Sequence, residues 1–296
     1  MSLEWTTGLP LTALADWRLP ERAGAAVAVA AQHGVQGLQF DLGGPGRGPW
    51  LDAPGHLTRL ARTARAAGVV PLGVAGNVLN DIGLTAPEGT PAADQVREIL
   101  LRLLDAAGEL GAPLAFVPSF RRSAITGEAE LRRTAQVLGA AAELAEARGL
   151  LLASENILAP GAALRLAEEV ASPAFRLLLD TYNPRAAGVD TAALVAATAP
   201  HLADQIHVKD GPAGADGTPL LGDGDGRVGV TLDAVAEHAP EPRALVLEND
   251  HRGGDTEHLA ADLDRLRAFA GRLHRRRTAT AVTKTNTAET AGPWAS

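Results

Sequence analysis

The segment 150-LLLASENILAPGAALRLAEEVASPAFRLLLDTYN-183 holds two near-continuous apolar runs, Leu150–Glu155 and Phe175–Asp180, each closing on an acidic residue. Between them, 161–171 carries apolar residues at helical spacing. A half-exposed strand would alternate apolar and polar residues. A strand that is apolar throughout belongs to a parallel sheet covered on both faces, with a helix as the crossover. The segment therefore predicts strand–helix–strand, with both acidic residues at the C-terminal edge of the sheet.

The same unit recurs outward in both directions. Strands are predicted at Trp5–Leu9, Val35–Asp41, Val69–Val74, Leu114–Pro118, Gln205–Lys209 and Ala244–Glu248 as well. Strong helical stripes run over Thr90–Gly111, Glu128–Gly149 and Thr256–Leu273, with Thr90 as N-cap and Pro91 at the first helical position. Weaker helices fit 21–33, 55–67, 191–198 and 231–238. Eight strands alternating with eight helices predict a single-domain (β/α)8 TIM barrel, an α/β fold, over residues 1–274. The Thr/Ala-rich stretch 275–296 shows no period and is expected to be a disordered tail. No G-x-G-x-x-G turn follows the first strand, and 222-GDGDG-226 does not join a strand directly to a helix, so it makes a poor phosphate loop.

Composition narrows the function classes. The absence of cysteine excludes disulfides, thiolate metal sites and cysteine nucleophiles. The chain carries −8, and residues 275–296 hold four basic groups against one acidic, which leaves residues 1–274 at −11. That sign argues against a nucleic-acid partner. No apolar stretch is long enough for a membrane span, and the N-terminal residues lack a signal-like pattern, so a cytoplasmic protein is expected. Lys209 and Lys284 are the only lysines, and only Lys209 falls within the expected barrel.

In a TIM barrel the C-terminal ends of the strands converge on one face. Here four consecutive strands deliver Glu155, Asp180, His207 and Glu248 to that rim. Three carboxylates and an imidazole repel or desolvate one another unless a cation joins them. A mostly oxygen donor set suits one divalent metal ion, Mn²⁺ first, with Mg²⁺, Co²⁺ or Zn²⁺ as alternatives. Residues two apart on a strand share a face, so Lys209 points the same way as His207. Further rim candidates are Asn77, Ser119, Phe120, Arg121, Arg122 and Arg185; an arginine among them would bind an anionic group. Trp50 is a candidate for stacking on a sugar face or for an apolar lid, and His251 reads as a loop histidine.

The set 155-EN-156, 177-LLLDTYN-183, 206-IHVKD-210, 221-LGDGD-225 and 245-LVLEND-250 resembles the xylose isomerase-like barrel superfamily, in particular its sugar phosphate isomerase/epimerase branch. The resemblance implies a single divalent metal held by Glu155, Asp180, His207 and Glu248, with the two glutamates moving protons as a catalytic pair. It also implies a small-molecule substrate, and because members often associate, a homo-oligomer. Two departures stand out. Where ketose 3-epimerases carry a histidine three residues after the sixth-strand aspartate, this chain has Asn183, which hydrogen-bonds a hydroxyl but does not titrate. At the end of the second strand, Gln39 and Asp41 stand where an acidic residue is usual. The missing histidine also counts against the trinuclear AP-endonuclease relatives.

Together these features predict a metal-dependent isomerase or epimerase of a small polyhydroxylated carbonyl compound. Glu155 and Glu248 are expected to act as acid and base around an enediolate, with Lys209 stabilising its oxygen. Asn183, Asn77, Gln39 and Arg185 are the expected substrate-binding residues. A metal-dependent lyase that dehydrates a keto-sugar or keto-cyclitol shares the first step and is the alternative. A non-catalytic binding barrel and a nuclease stand behind it.

Overall fold

The computed structural model describes residues 8–211 and 218–290. Eight parallel strands close into a barrel in sequence order: β1 (Leu11–Ala15), β2 (Gly37–Asp41), β3 (Val70–Ala75), β4 (Leu114–Pro118), β5 (Leu151–Glu155), β6 (Phe175–Asp180), β7 (Leu202–Val208) and β8 (Ala244–Leu247). Pairing of Leu11–Leu14 with Ala244–Leu247 shuts the ring. The helices are α1 (Gly24–Gln32), α2 (His56–Ala66), α3 (Leu79–Ile82), α4 (Pro91–Leu110), α5 (Glu128–Ala147), α6 (Pro160–Val170), α7 (Asn183–Ala186), α8 (Thr191–Thr198), α9 (Val228–His238) and α10 (Thr256–Thr290). Thr90 caps α4 by accepting from the Ala93 amide, with Pro91 at the first position.

Each strand sends alternate residues to two separate cores. The outward row packs against the helices; Leu177, Leu179, Leu245 and Leu247 belong to it. The inward row fills the barrel with Ala13, Leu72, Leu114, Phe116, Ala153, Leu178, Ala203 and Val246. Continuing this inward row in steps of two, from Ala153, Leu178 and Val246 by one step and from Ala203 by two, places Glu155, Asp180, Glu248 and His207 at the top, which is how the strand period fixes the site.

Two predicted elements differ. The first strand is Leu11–Ala15, not Trp5–Leu9, and Trp5 lies outside the described residues. The run LTALA is poor in aromatic and β-branched residues, but a strand buried on both faces can use alanines where the barrel interior is crowded. The last helix continues past residue 274 to Thr290, so 275–290, expected as irregular tail, extends α10. Its Ala/Thr content gave no apolar stripe to read, whereas a formed helix propagates at low cost. Residues 291–296 lie outside the described set.

Candidate active site

Glu155, Asp180, His207 and Glu248 come together. One ligand atom from each lies within 4.8 Å of the others, and all four are buried. Asp180 Oδ2, His207 Nδ1 and Glu248 Oε2 are buried without a hydrogen-bond partner. His207 Nδ1 stands 3.6 Å from Glu155 Oε2 and 3.7 Å from Glu248 Oε2. These spacings are too long for hydrogen bonds. Orphaned buried oxygens facing an imidazole nitrogen are costly alone and suit ligands that share one cation. The group fits a divalent metal.

The imidazole's tautomer follows from a chain of amides beneath it. The Leu72 carbonyl can only accept, so Gln205 Nε2 donates to it at 2.8 Å, and Gln205 Oε1 accepts from Gln39 Nε2 at 2.8 Å. Gln39 Oε1 is therefore an acceptor, and His207 Nε2, 2.8 Å away, donates to it. That leaves the Nδ1 lone pair for the metal. Gln39, expected to bind substrate, is fully buried below the site and positions His207 instead. Phe116 meets the His207 ring edge-on at 5.3 Å and forms the floor with Trp17.

The two glutamates are held differently. Glu248 Oε1 accepts from Trp17 Nε1 at 2.9 Å and from Arg18 Nε and Nη2 at 3.2 and 3.0 Å. Burial opposes its ionisation, but Arg18, Lys209, His207 and Trp17 outweigh burial and hold its carboxyl far below the usual range. Glu155 Oε1 accepts from Asn183 Nδ2 at 2.9 Å, and Asn183 Oδ1 accepts from Lys209 Nζ at 3.2 Å. Asp180 is pushed up to about 7 by burial and by the charges of Glu248 and Glu155. Burial acts against a charge on His207, yet its carboxylate neighbours raise its pKa above the ordinary value. The cluster favours a positive charge in its midst.

Above it opens a cavity of about 620 Å³, lined by Trp17, Arg18, Asn77, Glu155, Asn183, Lys209 and Glu248 among others. Asn77 faces it, with its amide nitrogen unpartnered. Arg185 does not line it; its Nε donates to the Asp225 carbonyl. Trp50 is no stacking platform either, because the Arg102 guanidinium covers its ring at 3.7 Å. His251 is buried, with Nε2 3.2 Å from Asp262 Oδ2. The Gly-rich loop after β7 is likewise committed. The amides of Gly222, Gly224 and Gly226 donate to the Asp210 carboxylate, and a Cβ on Gly224 would meet the Gly211 carbonyl oxygen at 2.2 Å. Its N–H groups hold the chain's own aspartate, not a ligand phosphate.

Sequence reasoning missed Trp17 and Arg18, which hold Glu248, and Gln205, which holds Gln39. A first strand at Trp5–Leu9 hides 16-DWR-18 as a strand end; β1 at Leu11–Ala15 is the signal that finds them.

The family model for the xylose isomerase-like TIM barrel matches residues 27–268, and the chain belongs to that family. It is 52% identical over 257 residues to the 2-epi-5-epi-valiolone 7-phosphate 2-epimerase of an Actinoplanes species, covering 87% of this chain and 93% of that protein. It is an enzyme of the isomerase/epimerase type. Among solved structures it resembles an L-ribulose 3-epimerase, with a TM-score of 0.69 at 17% identity over 97% of this chain and 100% of the other. A xylose isomerase domain protein from Planctomyces limnophilus gives 0.72 at 18%, over 91% and 100%. At these identities the structures share the fold alone.

Proposed function

We propose that the enzyme inverts the carbon next to the ketone of a phosphorylated keto-cyclitol, using Glu155 and Glu248 as the proton-transferring pair. The observation that carries this reading is the buried Glu155–Asp180–His207–Glu248 group under a cavity of substrate size. The substrate class comes from the relative, whose name describes 2-epimerisation of a phosphorylated ketone.

Glu155, Asp180, Glu248 and His207 Nδ1 would hold one divalent ion, with Mn²⁺ the first to test. When bound, such an ion polarises the ketone and offsets the negative charge of the enolate. Glu155 is the better base, because one amide contacts its Oε1 whereas three donors hold Glu248 Oε1. Its carboxylate removes the α-proton. Glu248 reaches the cavity from the end of β8, three strands on from β5, and delivers a proton to the other face. Composition is unchanged and one stereocentre is inverted. Lys209, carried on the Asn183 amide, supplies positive charge beside the developing oxyanion. Asn183 occupies the Asp+3 position and orients Glu155 without titrating. A phosphorylated substrate does not cross a bilayer unaided, which fits a cytoplasmic setting. Among the described residues no helix is long and apolar enough to cross a membrane.

The test is incubation of the Mn²⁺-loaded enzyme with 2-epi-5-epi-valiolone 7-phosphate in heavy water. One deuterium at the inverted carbon, with no other mass change, is expected. A product lighter by one water marks a lyase and overturns the reading. Metal content on wild type and Asp180→Ala provides the companion result: about one ion per chain, lost in the variant.

A further inference from the structure

The cavity of this acidic protein gathers six cationic side chains: Arg18, Arg22, Arg47, Arg121, Lys209 and Arg252. Their partners sort them. Arg18 is spent on Glu248, and Lys209 sits on Asn183 over the proposed ion site. Arg252 is clamped by both oxygens of Asp250. The other three stand together on the β1–β4 side. Asp81, on the short helix α3, binds Arg47 Nε through Oδ2 at 2.8 Å and Arg121 Nη2 through Oδ1 at 2.7 Å. Arg22 Nη1 donates to Asp41 Oδ2 at 2.9 Å and to the Arg47 carbonyl at 3.0 Å. One carboxylate thus brings two guanidiniums to one place, and a third is tied to the same loop. In these contacts Arg47 uses only Nε and Arg121 only Nη2, which leaves further N–H donors of each fork for a ligand.

The backbone is built for this placement. Arg47 lies in 43-GGPGRG-48, closed by Gly44 N to Gly48 O at 3.2 Å and Arg47 N to Gly44 O at 2.9 Å. Gly44 has φ +116°, and a Cβ there would strike the Trp50 ring at 2.7 Å. The tight turn carries a single charged side chain, and its side chain is 20% exposed at the mouth. Arg121 has φ +49°, a left-handed conformation that side chains with a Cβ resist. The Phe120 amide, bonded to Asn80 Oδ1 at 2.8 Å, pins that turn to the helix carrying Asp81. Both arginines are held by unusual backbone in loops that no catalytic ligand needs.

We propose that Arg47 and Arg121, joined by Asp81 and supported by Arg22, form the binding site for the substrate's phosphate monoester. The inference rests on the epimerase reading above and adds the anchor that separates phosphorylated from free ketones. Paired guanidinium forks match a phosphate's oxygens in geometry and charge. The anchor lies across the mouth from the ligands on β5–β8, so a phosphate held there fixes the far end of a ring lying over the ion.

The experiment compares wild type, Arg47→Ala, Arg47→Lys and Arg121→Ala, each Mn²⁺-loaded and checked for unchanged metal content and melting temperature. Steady-state deuterium exchange is followed on the phosphorylated ketone and on its dephosphorylated form. Inorganic phosphate binding is followed separately by ³¹P line broadening on the Mg²⁺-loaded enzyme. Each alanine variant is expected to raise KM for the phosphorylated ketone about 10- to 100-fold, with kcat within a few-fold and the free ketone unaffected. Arg47→Lys should recover part of the loss, and phosphate binding should weaken in parallel. Unchanged KM and phosphate binding in both alanine variants would overturn the anchor while leaving the epimerase reading intact. A KM increase in Arg252→Ala instead would put the phosphate on the opposite side and also overturn it. If wild type exchanges neither ketone, the epimerase reading falls; phosphate binding lost in the alanine variants would still uphold an anion site, and phosphate binding that both variants retain would remove it.

Discussion

The two halves of the barrel mouth are built on opposite principles. On the β5–β8 side, Glu155, Asp180, His207 and Glu248 sit on strand ends, none more than 4% exposed. On the β1–β4 side, Arg22, Arg47 and Arg121 sit on loops, with side chains 38%, 20% and 55% exposed. Strand ends are held by a ladder and two cores, so they fix atoms that must not move. Loops tolerate change and suit the part of a site that selects among substrates. On the proposed reading, the contrast puts rate in one half and recognition in the other.

Glu155→Gln and Glu248→Gln test the rate half most severely. Each should lower kcat by about 10²- to 10⁴-fold with little change in KM, measured by deuterium exchange. A loss confined to KM would erase the distinction between the halves. A smaller effect sharpens it. Gln39→Leu breaks the amide chain that sets the His207 tautomer and should weaken metal affinity about 10- to 100-fold, read by competition with a chelator. Unaltered affinity would mean that the floor contributes packing and no orientation.

Asp16 tests what supports the recognition half. Burial first, and the charge of Asp41 besides, raise its pKa to about 7, although the amides of Ala23 and Asp41 bond to it. Its unfolded value is near 3.8. Between these values the folded state binds more protons than the unfolded one, so this group makes stability fall as pH rises. The fall approaches about 1.4 kcal/mol per pH unit and ends above pH 7. Denaturant unfolding of the metal-loaded enzyme at pH 4.5 and 7.5 should show this slope in wild type and lose it in Asp16→Asn. An identical slope in both would show that Asp16 ionises freely. The smallest effect is expected from Arg102→Ala. It removes the guanidinium over Trp50 and the pair with Asp52, costing about 1 kcal/mol of stability with no change in kcat.

The convergence of Glu155, Asp180, His207 and Glu248 was legible in the sequence because a strand's period of two reports its faces. Leu151, Ala153 and Glu155 share the inward row of β5, as Ala203, Gln205 and His207 share that of β7, with Lys209 lining the cavity just past its end. Arg121 could be suspected because it follows the fourth strand. Arg185, read by the same argument, donates to the Asp225 carbonyl instead, since it sits on the short helix α7, where the strand alternation no longer sets direction. Gln39 lies on the expected face but below the site: the period gives direction, not height along the barrel axis.

The sequence by itself determined the closed α/β architecture and the order of the strands that end on Glu155, Asp180, His207 and Glu248. Both follow from local periodicity and hydrophobic burial. The tertiary structure decided who meets whom. Trp17 and Arg18 reach Glu248, more than two hundred residues away, because β1 pairs with β8 and shuts the ring. Arg47 and Arg121 meet at Asp81 because neighbouring strands set their loops side by side. Loops carry no period, so contacts between them are written only in the geometry that barrel closure imposes.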